Sequence, residues 1–152
     1  MSAALRIRID DNEDLEAARA AADLHAVELR EMTPPPSDEL EEHIEAVTAV
    51  LIGAGVVAGV KFVMDWWDRR QGGLVIDLRP EALDMFYRDR DLTFGYVVTI
   101  PVEGGQVTVD VRKIPDAAET WVTEVVKLGF KTVSDAAQAA DTIVGAARVQ
   151  VA

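Results

Sequence analysis

Gly53, Gly55 and Asp77 are the residues whose types and spacing come nearest to a ligand chemistry. The run Val50-Leu51-Ile52-Gly53-Ala54-Gly55-Val56-Val57-Ala58 has the form G-x-G-x-x-A after an apolar stretch, and Leu74-Val75-Ile76-Asp77 places an acid at a strand end about 20 residues on. Glycines in that pattern let a pyrophosphate approach a helix N-terminus, and the acid accepts a hydrogen bond from a ribose hydroxyl. The chemistry requires Gly53 to sit at a strand-to-helix turn. Against it, no turn residue separates the acidic segment Ser37–Glu45 from the apolar run, and only 75 residues follow Asp77, too few for a doubly wound sheet.

The same residues have two other readings. In the first, Gly53, Gly55 and Gly59 lie within one long helix and let a neighbouring backbone pack closely, at a cost of up to about 1 kcal/mol each relative to alanine. In the second, Gly55-x-x-x-Gly59 is a helix-pairing face in lipid, with Trp66-Trp67 as an interfacial anchor of a helix over 46–67. The charge-free run Ala46–Val60 is fifteen residues, short of the ~20 that a bilayer requires. Trp66 and Trp67 are adjacent, so on a helix they point about 100° apart and cannot share one narrow core stripe. One of them is expected to mark a partner surface, because exposed tryptophan is enriched where proteins bind. Gly55, Gly59, Trp66 and Trp67 are therefore the interface candidates.

Other constellations are weaker. Asp10-x-Asn12-x-Asp14 begins like a calcium loop, but Leu15 stands where the turn glycine belongs and Ala21 where a bidentate glutamate belongs. His25 and His43 fall in different elements and read as solvated or capping residues. Asp84, Arg88, Asp89, Arg90 and Asp91 beside Tyr87 read as a solvated charge run. No metalloprotease, nucleophile-elbow or P-loop motif is present. The expectation is no catalytic residue, no metal and no cofactor.

The elements that must position these residues follow from periodicity. Leu5-Arg6-Ile7-Arg8-Ile9 alternates as a strand, Glu13–Leu24 carries Leu15, Ala18 and Ala22 at helical spacing, and His25–Met32 alternates again, giving a β-α-β start. Pro34-Pro35-Pro36 is a stiff connector and the one candidate sub-boundary in a single domain spanning 1–152. Ser37 then caps a helix expected to run to Arg70, and Gly72-Gly73 ends it before the strand Leu74–Leu78. Glu81–Asp91 reads as one or two helical turns with Leu83, Phe86 and Tyr87 inward. Phe94–Val102 and Gln106–Ile114 form a hairpin around Gly104-Gly105. A helix opened by Pro115 and Asp116, with Trp121, Val125 and Leu128 on one face, stops at Gly129, and a last one runs from Ser134 to about Ala147. The fold class is α+β, or α/β, on a mixed sheet.

Composition narrows the function classes. Fifteen basic against 27 acidic side chains give a net charge of −12, which repels phosphate backbones and argues against nucleic acid. With no cysteine there is no disulfide framework, thiolate nucleophile or iron–sulfur cluster, and a cytoplasmic setting is the default. Met1–Glu31 mixes charged and apolar residues and lacks the layout of a signal peptide.

The order of features (a short β-α-β start, a proline-marked linker, an apolar Gly/Ala segment with Gly53-Ala54-Gly55, then Trp67-Asp68-Arg69-Arg70, a strand and a Gly-Gly hairpin) resembles the effector-associated constant components of actinobacterial conflict systems. The likeness covers roughly Leu5 to Ile114; the segment Glu81–Asp91 and the two helices after Pro115 depart from it. The resemblance implies an accessory or adaptor protein that associates with an effector, and it assigns no active-site residue. A homo-oligomer is expected from the apolar helix and the tryptophan pair.

Overall fold

The computed structural model describes residues 5–32, 47–52 and 55–152. It is a mixed α+β fold built on one eight-stranded sheet. In chain order the elements are β1 (Leu5–Ile9), α1 (Asn12–Leu24), β2 (Glu28–Met32), β3 (Val47–Ile52), α2 (Val56–Asp68), β4 (Gly73–Asp77), β5 (Phe86–Asp89), β6 (Tyr96–Ile100), β7 (Val107–Asp110), α3 (Ala117–Leu128), α4 (Val133–Val144) and β8 (Val149–Val151). The strand order is β2-β3-β1-β5-β4-β6-β7-β8. Neighbours pair antiparallel except β1 with β5 and β4 with β6.

Alternation decides which side of the sheet is dry. Ile7, Ala49, Phe86, Leu74, Ile76, Val97 and Val109 point to one face and join a single core with the buried faces of all four helices. The other face carries Arg6, Arg8, Tyr87, Tyr96 and Asp110, the polar half of the period-two pattern. The β-α-β start is present, with Leu15, Ala18 and Ala22 buried as the helical spacing predicts, although β3 inserts between β1 and β2. The hairpin is also present, as β6 and β7, and Gly104 and Gly105 take positive φ between them. The triproline lies outside the described residues; the strands that flank it pair with each other.

Four expectations are corrected. Where the long helix to Arg70 is expected, the described residues form a strand, Val47–Ile52, and a thirteen-residue helix, Val56–Asp68. A run apolar on all sides carries no periodicity, and among its β-branched residues Val50 pairs with both β1 and β2, Val47 with β1 and Ile52 with β2. The proposed helix start at Ser37 lies outside the described residues. Glu81–Asp91 contains β5 and not helical turns: Phe86 and Arg88 point inward while Tyr87 and Asp89 point outward, and Leu83 is exposed. The last helix starts from a Thr132 cap that accepts from the Asp135 amide, ends at Val144, and gives way to β8. Leu128 sits outside the buried stripe of α3, 60% exposed.

Arg88 is also the main departure from the solvated charge run. Its side chain is fully buried, as is that of Asp14. The guanidinium donates to the carbonyls of Trp66 (2.8 Å), Trp67 (2.6 Å) and Arg70 (2.9 Å), so it satisfies the orphan carbonyls at the C-terminus of α2. It lies over the Trp66 ring at 4.8 Å and faces the Asp14 carboxylate at 3.5 Å. Asp14 in turn accepts from Trp66 Nε1 (2.9 Å) and the Asp10 amide (3.0 Å). Burial pushes the guanidinium below its ordinary value while Asp14 pulls it back up. Removing one partner of such a pair leaves an uncompensated buried charge, at a cost of about 3–5 kcal/mol. Asp14→Leu and Arg88→Met are accordingly each expected to destabilise by that order, and the two together by less than the sum of the single changes. Denaturant titration of the four proteins measures the coupling, and additivity would show that the pair is not a unit.

Candidate functional site

A surface cleft of about 460 Å³ lies where the C-terminal end of α1, the outer face of α2 and the start of α3 meet. Its apolar part comes from Leu24, Met64 and Phe94, with Trp67 as the floor. Leu24 is 67% exposed and Phe94 41% exposed, which makes this the place where two of the chain's large exposed side chains converge. The Phe94 ring sits 4.8 Å from that of Trp67, tilted by 31°, so the buried indole is roofed by an exposed phenyl.

Local sequence explains the geometry. On α2, Lys61, Met64, Asp65 and Asp68 recur at helical spacing and turn one face to the cleft, while Phe62, Val63 and Trp66 turn to the core. Trp67 is fixed from beneath by a 2.8 Å hydrogen bond from Nε1 to the Gly72 carbonyl. Gly72 has φ +117°, and a Cβ there would lie 2.8 Å from the Asp89 carbonyl oxygen, so the turn that receives the indole requires glycine. His25 caps α1 and brings Nε2 to 3.4 Å from Asp65, which is also held by Arg69 at 3.2 Å. The rim is thus charged and the floor apolar, the anatomy of a protein-binding patch.

The residues singled out by spacing are distributed differently. Trp66 is fully buried and Trp67 nearly so, because core packs on one side of α2 and Phe94 covers the other; neither indole forms an outer partner surface. Gly59 is buried on α2. Gly53 lies outside the described residues. Gly55 is the N-cap of α2, and a Cβ there would meet nothing within 4 Å, so it serves no close packing. Asp77 does end β4, but β1 and β5 separate β3 from β4, which puts the two strands about 14 Å apart instead of side by side. Its carboxylate is held by Arg79 at 2.7 Å. Burial alone would raise the Asp77 carboxyl, and the bonds and charge of Arg79 bring it below the ordinary range. The structure therefore does not bring Gly55 and Asp77 together. His43 lies outside the described residues. Among the described residues no cluster of three metal-ligating side chains forms, and no helix is long and apolar enough to cross a membrane.

Leu24 and Phe94 were not visible as site residues in the sequence. The one signal for Leu24 is that it falls off the Leu15-Ala18-Ala22 stripe, a large apolar residue on the wrong side of its helix.

A second depression is lined by Glu13, Arg69, Arg70 and Arg90, but its arginines are already engaged. Arg70 and Arg90 both grip Asp11, at 2.7 and 2.8 Å. No family model, no curated protein and no solved structure matches this chain.

Asp11 caps α1 by accepting from the Asp14 amide at 2.8 Å; that bond, with Arg90 and Arg70, outweighs burial and holds its pKa down at about 2. The unfolded chain binds this proton near the ordinary carboxylate value of about 4, so between the two values unfolding takes up protons. Stability contributed by Asp11 is thus present above about pH 4 and is lost as pH falls through about 2. Denaturant midpoints measured down this range are expected to fall less steeply for Asp11→Asn than for the parent protein, and equal slopes would contradict the assignment.

Proposed function

We propose that the chain is a non-catalytic accessory module that acts by protein–protein association through the cleft between α1, α2 and α3. The observation that carries this reading is the convergence of exposed Leu24 and Phe94 with Met64 over a rigid indole floor inside a charged rim. Apolar anchors in a concave, preformed setting with polar surroundings are the features that concentrate binding energy at interfaces. The resemblance to effector-associated constant components supports the same role, with a bacterial effector as the partner class and the cytoplasm as the setting. Self-association draws less support, since the tryptophan pair that suggested it is buried within one chain.

The test is a photoreactive residue at Leu24, compared with one at exposed Gln138 on α4, in cells that produce the protein natively. A discrete adduct from position 24, absent from position 138 and lost on Phe94→Ser, is the expected result. An adduct of twice the chain mass would identify the partner as a second copy. Equal labelling from both positions, or none, would overturn the reading.

One observation favours a second reading. β3 ends at Ile52 and α2 starts at Val56 behind the Gly55 cap, the strand-then-helix order that a nucleotide module requires. The displaced and ion-paired Asp77 argues the other way. Gly55→Ala separates the two readings, since its Cβ has open space and φ of −72° suits any residue. The expected stability loss is below about 1 kcal/mol, the difference between glycine and alanine at an N-cap. Adenine dinucleotide at high concentration is expected to leave the melting temperature of both proteins unchanged. A ligand-dependent rise in the parent protein that Gly55→Ala abolishes would establish the nucleotide site instead.

A further inference from the structure

We infer that the occupant of the cleft is a cationic amphipathic segment of a partner protein, a helix that seats apolar side chains on Leu24, Met64 and Phe94 and sets lysine or arginine against Asp68 and Glu119. The inference rests on the association reading above and adds the chemistry of the partner.

Charge at the rim carries it. Asp65 and Asp68 stand on the cleft face of α2 and Glu119 on the first turn of α3, with Lys61 as the cation on the same lining. Asp65 is already bridged by Arg69 and approached by His25. Among the described residues, neither Asp68 nor Glu119 takes part in an ion pair, in contrast to Asp10, Asp11, Asp14, Asp77 and Asp110, each held by an arginine. Among the described residues, carboxylates elsewhere on the surface, Glu16, Asp135 and Asp141 included, are unpaired too, but Asp68 and Glu119 stand beside the apolar floor, where a partner's cation would be held next to Leu24, Met64 and Phe94. The chain's charge of −12 acts in the same direction over a longer range, since it favours the approach of a basic partner and opposes a second copy.

Shape fits the same occupant. From Lys61 to Asp68 the cleft face of α2 runs for about 10 Å, two turns of helix. A helix laid along it presents apolar residues at i, i+3 and i+4 to the floor and flanking residues to the rim, which is the helix-in-groove mode of recognition. An extended strand has no sheet edge here to extend, because β2 and β8 form the edges of the sheet.

The test uses three fluorescent peptides of about four helical turns with one leucine face and a second face of lysine, glutamine or glutamate. Anisotropy is measured at low and high salt against the parent protein, Leu24→Ser/Phe94→Ser, Asp68→Lys/Glu119→Gln, and Asp141→Lys/Asp135→Asn, a control with the same charge change on exposed α4 positions. The lysine peptide is expected to bind the parent at least about tenfold more tightly than the glutamine peptide, and the glutamate peptide more weakly still. Asp68→Lys/Glu119→Gln is expected to remove that preference while the α4 control keeps it. Leu24→Ser/Phe94→Ser is expected to weaken all peptides. If the lysine peptide binds equally well to the α4 control and to both cleft variants, the attraction is diffuse and the inference is overturned. If the glutamine peptide binds as well as the lysine peptide and only Leu24→Ser/Phe94→Ser weakens it, the cleft is a docking site of other chemistry; the association reading stands and the inference falls. If no peptide binds in a manner that depends on Leu24 and Phe94, both fall.

Discussion

A single buried guanidinium sets the geometry of this molecule. Arg88 reaches from β5 into the core and meets three carbonyls at the end of α2, the Trp66 ring and the carboxylate of Asp14 in the first turn of α1. A cation at a helix C-terminus and an anion at a helix N-terminus are each favoured by the helix dipole, and here one ion pair satisfies both ends at once. The arrangement fixes how α1 and α2 sit on the sheet, because sliding either helix would strand a charge in the core. Purely apolar contacts between alanine-rich α1 and valine-rich α2 would specify that register less sharply.

The cleft follows from this register. With Trp66 turned down to Asp14, the next residue on α2 must turn away, and Trp67 becomes the floor beside α3. Its indole N–H would be an unsatisfied buried donor without the Gly72 carbonyl. The tight turn at Gly72-Gly73 therefore serves two purposes: it starts β4 beneath α2, and it presents the acceptor that holds the indole. Phe94, at the far end of the loop after β5, then closes over the ring. Leu24 joins them because α1 ends beside α2 and leaves this side chain of its last turn exposed.

Much of the fold was legible where a pattern has one period. Leu5–Ile9, Glu13–Leu24 and the hairpin around Gly104-Gly105 each alternate or repeat cleanly, and each is present. Residues 47–60 were not legible, since an apolar run of strand length followed by one of helix length looks like a longer helix when only Gly-Ala-Gly, itself small and uncharged, stands between them in the sequence. β5 was hidden for the opposite reason: buried Arg88 breaks the apolar alternation that would announce a strand, because its burial depends on helix carbonyls and an aspartate more than seventy residues earlier in the chain. β8 is three residues long and gains its identity from β7. The cleft was less legible still. Gly55 and Asp77 had the right spacing along the chain, but two intervening strands belong to β1 and β5, whose positions depend on pairings no local pattern encodes. Leu24 and Phe94 stand out by their exposure, which is a property of the folded surface.

The distribution of charge gives the composition a structural meaning. Ten arginines lie within 4.0 Å of a carboxylate: Arg8, Arg19, Arg30, Arg69, Arg70, Arg79, Arg88, Arg90, Arg112 and Arg148. Three also lie over aromatic rings, at Tyr87, Trp66 and Tyr96. A planar guanidinium suits these paired and stacked settings better than an ammonium does, which accounts for the preference for arginine over lysine. Because the arginines are spent internally against carboxylates, the excess acid remains on the surface. On the association reading proposed above, a basic partner would meet a negative field with local carboxylates beside apolar anchors, so charge would set the rate of encounter and Leu24, Met64 and Phe94 the lifetime of the complex.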